Sequence, residues 1–209
     1  MKTKFGIVGC GFLGNIVADA WKNGLLPDYE LVGVTSRTRA SAEKTAANVG
    51  CAVCEDMDAL LALEPEYIVE AASVESVRAM AIPALKRGVN LVILSIGAFA
   101  DLDFYAQVKA AAVEGGAKVH LASGAIGGFD VLRTAALMGV EEATFESTKS
   151  PKSLSGAPGL MGVELPADRE TLAFEGGVEE AVRGFPKNIN VAAATVSAAD
   201  APNVRGRLV

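Results

Sequence analysis

The sequence predicts an α/β fold, a doubly wound parallel sheet with a second, smaller α+β domain. Three observations carry that expectation. Short apolar runs alternate with helical patterns along residues 1–122, as they must where strands are buried on both faces and helices make the crossovers. A loop with three glycines, Gly9-Cys10-Gly11-Phe12-Leu13-Gly14, joins the first run to the first helical pattern. After residue 122 the rhythm gives way to apolar–polar alternation and a Ser/Pro/Gly-rich stretch.

Taken in order, Phe5-Gly6-Ile7-Val8 is the first strand. Behind the glycine loop, Leu13, Ile16, Val17, Ala20 and Trp21 recur at helical spacing and predict one apolar face, and Gly24 stops the helix. Residues 30–35 form the second strand and residues 40–49 a helix closed by Gly50. A short strand over 51–54 leads to a small helix over 56–63, ended by Pro65. Residues 67–71 are the next strand. Ser73 then caps a helix that passes through Val77 and Ile82, bends at Pro83 and stops at Gly88. A strand over 90–95, a helix over 102–114 and a strand over 118–122 complete about six parallel strands.

Beyond residue 122, Ser123-Gly124-Ala125-Ile126-Gly127-Gly128 is a second glycine-rich turn before an apolar helix over 129–138. Alternation over 143–148 marks a strand with one wet face, and 149–162 reads as a loop. A strand over 172–175, a short helix over 178–183, a longer one over 188–199 and a strand opening at 203 follow. The expected organisation is a domain over 1–122 and a second, incomplete one over 123–209.

Composition narrows the function. The 209 residues are 51% apolar and 21% charged, ordinary for a folded α/β protein, and the net charge of −6 disfavours a nucleic-acid partner. No apolar run reaches the roughly 18 residues of a membrane span, and the N-terminus lacks a signal-peptide layout, so a cytoplasmic setting is expected. Cys51-Ala52-Val53-Cys54 has redox-pair spacing but follows a helix stop rather than opening a helix. With Cys10 and a single histidine as the remaining soft ligands, a metal site is not expected and the thiols read as structural.

The glycine loop has the context that gives its spacing meaning, because it follows a strand and opens an amphipathic helix in a βαβ unit. Gly9 permits the tight turn, Gly11 lets backbone approach a diphosphate, and Gly14 lets helix and strand pack closely. The domain is therefore Rossmann-type and its expected cofactor is NAD or NADP, with Phe12 and Leu13 of the loop also among its contacts. The second strand ends in Thr35-Ser36-Arg37, with no acid to grip a ribose 2′-hydroxyl. Ser36 and Arg37 suit a 2′-phosphate instead, which favours NADP or dual use.

Ser95-Ile96-Gly97-Ala98 and Ser123–Gly128 both follow strands at the carboxyl edge and are expected to wall the nicotinamide ring. His120, the sole imidazole, falls inside a strand and reads as structural rather than as an acid/base. Ser123, Lys149 and Asn188 are candidate substrate contacts; Lys149 suits a carboxylate, and Asn188 suits either a ligand or a helix cap.

These segments resemble the L-aspartate dehydrogenase family over essentially the whole chain. The resemblance rests on the glycine loop, Glu70-Ala71-Ala72-Ser73 and Ser95-Ile96-Gly97-Ala98-Phe99-Ala100-Asp101. It rests above all on Ser123 to Asp130 and on Phe185-Pro186-Lys187-Asn188-Ile189-Asn190-Val191-Ala192-Ala193. It implies an NAD(P)-dependent dehydrogenase acting on a CH–NH2 donor, L-aspartate, giving iminoaspartate or oxaloacetate plus ammonia, with a supply role in NAD biosynthesis. It carries cofactor contact over to Ala125 and Asn190, and its motifs add Ala71 and Ala98.

One departure bears on catalysis. The family's catalytic histidine is expected in an Asn-x-His segment beyond Val209, so no residue of this chain is assigned that role, and truncation is the favoured account. The alternative is a non-catalytic NAD(P)-binding protein or partner subunit. A sugar-type oxidoreductase would instead show a Glu-Lys-Pro-like turn where this chain has Ser95-Ile96-Gly97. A homo-oligomer is expected, a dimer through the open sheet of the second domain.

Overall fold

The computed structural model describes residues 2–124, 126–139, 142–185, 190–199 and 204–209. The chain divides into two compact units, Met1–Ala122 and Ser123–Val209.

The first unit runs β1 (Thr3–Val8), α1 (Phe12–Lys22), β2 (Tyr29–Thr35), α2 (Arg39–Val49), β3 (Ala52–Val53) and α3 (Met57–Leu61). It continues with β4 (Tyr67–Glu70), α4 (Val74–Lys86), β5 (Asn90–Ile93), α5 (Leu102–Gly115) and β6 (Val119–Leu121). Among the described residues these strands form a six-stranded sheet in the order β3-β2-β1-β4-β5-β6, parallel throughout. The winding reverses between β1 and β4, so their carboxyl ends flank the switch point where ligands collect in such sheets.

Ile7, Leu31, Val34, Ile68, Leu91 and Ile93 fill the sheet interior. Helix ends follow local chemistry: the Ser73 hydroxyl accepts from the Ser76 N–H (3.2 Å) at the start of α4, and Asp101 accepts from the Asp103 and Phe104 N–H groups at the start of α5. α4 continues through Pro83 to Lys86.

α1 corrects one expectation. Val17 and Trp21 pack on the core, but Leu13 and Ile16 are half exposed and Phe12 is 81% exposed. The helix is buried through Gly14 and Ala18, one turn apart, and that narrow stripe of small residues lets it lie close to the sheet while the bulky neighbours fall to its flanks. α3 is shorter than the 56–63 expected.

The second unit holds α6 (Phe129–Leu137), β7 (Ala143–Ser147), α7 (Pro151–Leu154), β8 (Phe174–Gly177), α8 (Val178–Gly184), α9 (Asn190–Ala199) and β9 (Val204–Leu208). β9 is central in the order β7-β9-β8, parallel to β7 and antiparallel to β8. Alternation along β9 is the reason: Val204 and Leu208 face cores with Phe145 and with Phe185, while Arg207 meets Glu146 (2.7 Å) and Glu175 (3.8 Å) on the neighbouring strands. The stretch read as a loop over 149–162 contains α7 and a 3-10 turn, Pro158–Leu160, each opened by a proline at its first turn. The strand expected over 172–175 lies two residues later. No helix among the described residues is long and apolar enough to cross a membrane.

Candidate functional site

A crevice of about 450 Å³ opens at the switch point of the first unit. Gly9, Cys10 and Gly11 line one side, Thr35 to Thr38 and Ser41 another, and Ala71, Ala72, Ser73 and Ser76 a third. Each wall has a local cause.

Gly9 has φ +100°, a conformation that side chains disfavour, and a Cβ there would stand 2.6 Å from the Ala71 carbonyl oxygen. A Cβ on Gly14 would overlap the Gly9 carbonyl oxygen. These two glycines therefore satisfy the packing of the turn itself. Gly11 differs: a Cβ there would meet no atom within 4 Å, so its lack of a side chain keeps open space beside the backbone. A diphosphate fits that cradle.

The loop also turns the right groups outward. Asn15 Nδ2 donates to the carbonyl oxygens of Cys10 (3.1 Å) and Gly11 (2.8 Å). In a trans peptide the N–H points opposite its carbonyl, so the Gly11 and Phe12 N–H groups are directed away from Asn15. Gly11 offers no capping side chain, and the first turn of α1 holds no acidic residue. The helix start thus keeps its partial positive charge for an anion.

At the end of β2, Ser36 and Arg37 line the crevice with Thr38 and Ser41, three hydroxyls and a guanidinium with no carboxylate among them. Glu30 lies at the other end of the strand, opposite Lys4. Arg39, by contrast, pairs with Glu43 on α2 (2.9 Å). Glu75, at the start of α4, titrates below the ordinary carboxylate range because its own backbone N–H and the Ser73 hydroxyl hold the charged form, helped by Arg37 and Arg78.

The crevice thus brings together Gly9, Gly11, Ser36, Arg37 and Ala71 of the residues expected to meet a cofactor. Phe12, Leu13 and Gly14 do not line it; the first two point along the exposed flank of α1. Ala98 is fully buried in the 3-10 turn Ile96–Ala100 and presents no surface to a ligand. In the second unit, Ser123 is exposed, Asn190 opens α9, and Lys149 lines a separate cavity of about 190 Å³ with Arg169 and Glu170. Ala125 and Asn188 lie outside the described residues.

His120 sits on β6 with its ring 6.1 Å from Tyr67, in an apolar groove with Phe5 and Tyr29 and away from the crevice. The thiols of Cys10, Cys51 and Cys54 form no disulfide, and all three titrate high because burial, partial at Cys51, disfavours the thiolate; Cys51 is pushed up to about 11, with the neighbouring thiols adding to the effect. Neutral thiols are poor nucleophiles, in keeping with a structural role. No cluster that could hold a metal ion occurs among the described residues.

Sequence reasoning missed Thr38, Ser41, Ser73 and Ser76 as lining residues, and missed the organising part of Asn15 and Glu70. The spacing of the two serines from helix starts was the available signal.

Comparison with known proteins agrees with this geometry. Residues 9–122 match the family described as homoserine dehydrogenase, NAD binding domain, and residues 130–209 match aspartate dehydrogenase, C-terminal. An L-aspartate dehydrogenase of Methanocaldococcus jannaschii is 33% identical over 201 residues, 95% of this chain and 75% of that protein. One from Methanosarcina acetivorans is 36% identical over 200 residues, 94% of this chain and 73% of that protein. The crystal structure of aspartate dehydrogenase from Thermotoga maritima superposes with a TM-score of 0.76 at 29% identity, covering all of this chain and 78% of that one.

Proposed function

The chain belongs to the L-aspartate dehydrogenase family, and from that premise we propose that the crevice of its first unit holds the dinucleotide of an NAD(P)-dependent oxidation of L-aspartate. The observation that carries the reading is the open cradle at Gly11 beside an uncapped helix start. The bound nicotinamide would supply a hydride acceptor for oxidation of the amino-acid substrate. The protein's own groups bind and orient: N–H groups of the glycine loop hold the diphosphate, Gly9 and Gly14 keep the turn closed, and Ala71 bounds the crevice beyond Gly9.

Ser36 and Arg37 are assigned to a 2′-phosphate, which makes NADP(H) the preferred cofactor. Two hydroxyl neighbours, Thr38 and Ser41, and the lack of any acid in this wall support the preference. Ala125 and Asn190 are assigned to the cofactor on the family resemblance. Ser123, Lys149 and Asn188 are assigned to the substrate, with Lys149 suited to a carboxylate.

Titration with NADPH and NADH, followed by an assay of aspartate-dependent NADP+ reduction, tests the reading. Binding of neither cofactor removes it. Binding without turnover favours the second reading, a non-catalytic NAD(P)-binding subunit, for which the position of the sole histidine in an apolar groove is the supporting observation.

A further inference from the structure

Glu70 ends β4, its side chain is 0% exposed, and it joins none of the ion pairs found among the described residues. A charge so placed persists only where donors replace its lost hydration. Four do. Oε1 accepts from the N–H groups of Ala72 (2.8 Å) and Ser73 (2.9 Å) and from the Ser95 hydroxyl (2.9 Å), and Oε2 accepts from the Ser95 N–H (3.0 Å).

These donors belong to two separate loops at the carboxyl edge of the sheet. Ala72 and Ser73 lie in the turn after β4 and line the crevice, and Ser95 opens the turn after β5. The first turn is also in close contact with the glycine loop, since a Cβ on Gly9 would meet both Ala71 and Ala72 within 3 Å. One buried carboxylate therefore ties the β4 and β5 turns together and, through Ala71 and Ala72, sets where the glycine loop can stand.

We infer that Glu70 is a positioning residue for the dinucleotide site, holding the Ala71–Ser73 wall at its binding distance from the glycine loop. This rests on the cofactor reading of the crevice. A carboxylate is required rather than an amide because both oxygens face donors. In Glu70→Gln either orientation of the amide turns an NH2 group toward an N–H and leaves a buried donor unmatched.

The test is fluorescence titration of NADPH onto wild type, Glu70→Gln and Ser95→Ala, with thermal melting of each. The expected result is a Kd raised about tenfold in Glu70→Gln and roughly threefold in Ser95→Ala, which loses one of the four donors. A merely structural role would lower the melting temperature and leave the Kd of the folded protein unchanged, and that outcome overturns the inference. If Glu70→Gln does not fold, Ser95→Ala decides by the same comparison. Failure of wild type to bind NADPH would instead count against the cofactor reading itself.

Discussion

The Thr45 hydroxyl donates to Asn15 Oδ1 at 2.8 Å, from α2 to α1, and Thr45 is almost wholly buried. That bond fixes which way the Asn15 amide faces, leaving Nδ2 to hold the Cys10 and Gly11 carbonyls. The orientation of the glycine-loop N–H groups is thus set by a residue 30 positions from Asn15.

Asn15→Ala releases both loop carbonyls. NADPH affinity is expected to fall about tenfold, and Thr45→Val, which keeps its shape but loses the donor, to cost about 1 kcal/mol of stability with a smaller loss of affinity. Calorimetric titration and urea unfolding check the pair. Wild-type affinity in Asn15→Ala would mean the loop holds its shape unaided.

The glycines separate folding from binding. Gly11→Ala places a methyl group in open space at an extended backbone position (φ −84°), so melting should shift by no more than about 2 °C while dinucleotide binding is lost. Gly14→Ala drives a Cβ into the Gly9 carbonyl and should destabilise the fold by about 3 kcal/mol. Retained binding in a folded Gly11→Ala protein would move the diphosphate elsewhere.

Arg37→Ala should weaken NADPH at least tenfold and leave NADH nearly unchanged, because the guanidinium is assigned to the 2′-phosphate, which NADH lacks. Isothermal titration with both cofactors reads the difference. Equal losses for the two would place Arg37 on the diphosphate instead.

Alkali should destabilise the protein through its thiols. Cys51 ionises at an ordinary 9.0 when unfolded and at about 11 when folded, so between those values the unfolded chain binds fewer protons and stability falls as pH rises. Stability is fully retained below about pH 9 on this account. Unfolding curves from pH 8 to 11 check the trend, and Cys51→Ala should flatten it; an identical slope in that variant would assign the decline to other groups.

Much of the fold was legible because local chemistry is decisive there. Buried parallel strands read as unbroken apolar runs such as Phe5 to Val8, and Ser73 and Gly50 mark helix ends by hydrogen bonding and left-handed backbone. Periodicity failed at Leu13 and Ile16, since it registers apolar residues without registering how near the small Gly14 and Ala18 bring α1 to the sheet. It failed again over 149–162, where prolines that look like breakers open α7 and a 3-10 turn.

The sequence by itself determined the doubly wound sheet, the glycine loop that joins its first strand to its first helix, and the family, because these depend on residue types at short, fixed spacings. Only the tertiary structure decided which residues share the crevice. Glu70 looks like one more acid at the end of a strand until Ala72, Ser73 and Ser95 surround it, and Asn15 looks like a polar helix residue until Thr45 orients it. Hydrogen bonds between groups 25 and 30 residues apart leave no periodic trace in the chain. They exist because burial removes water and obliges each polar group to find another partner.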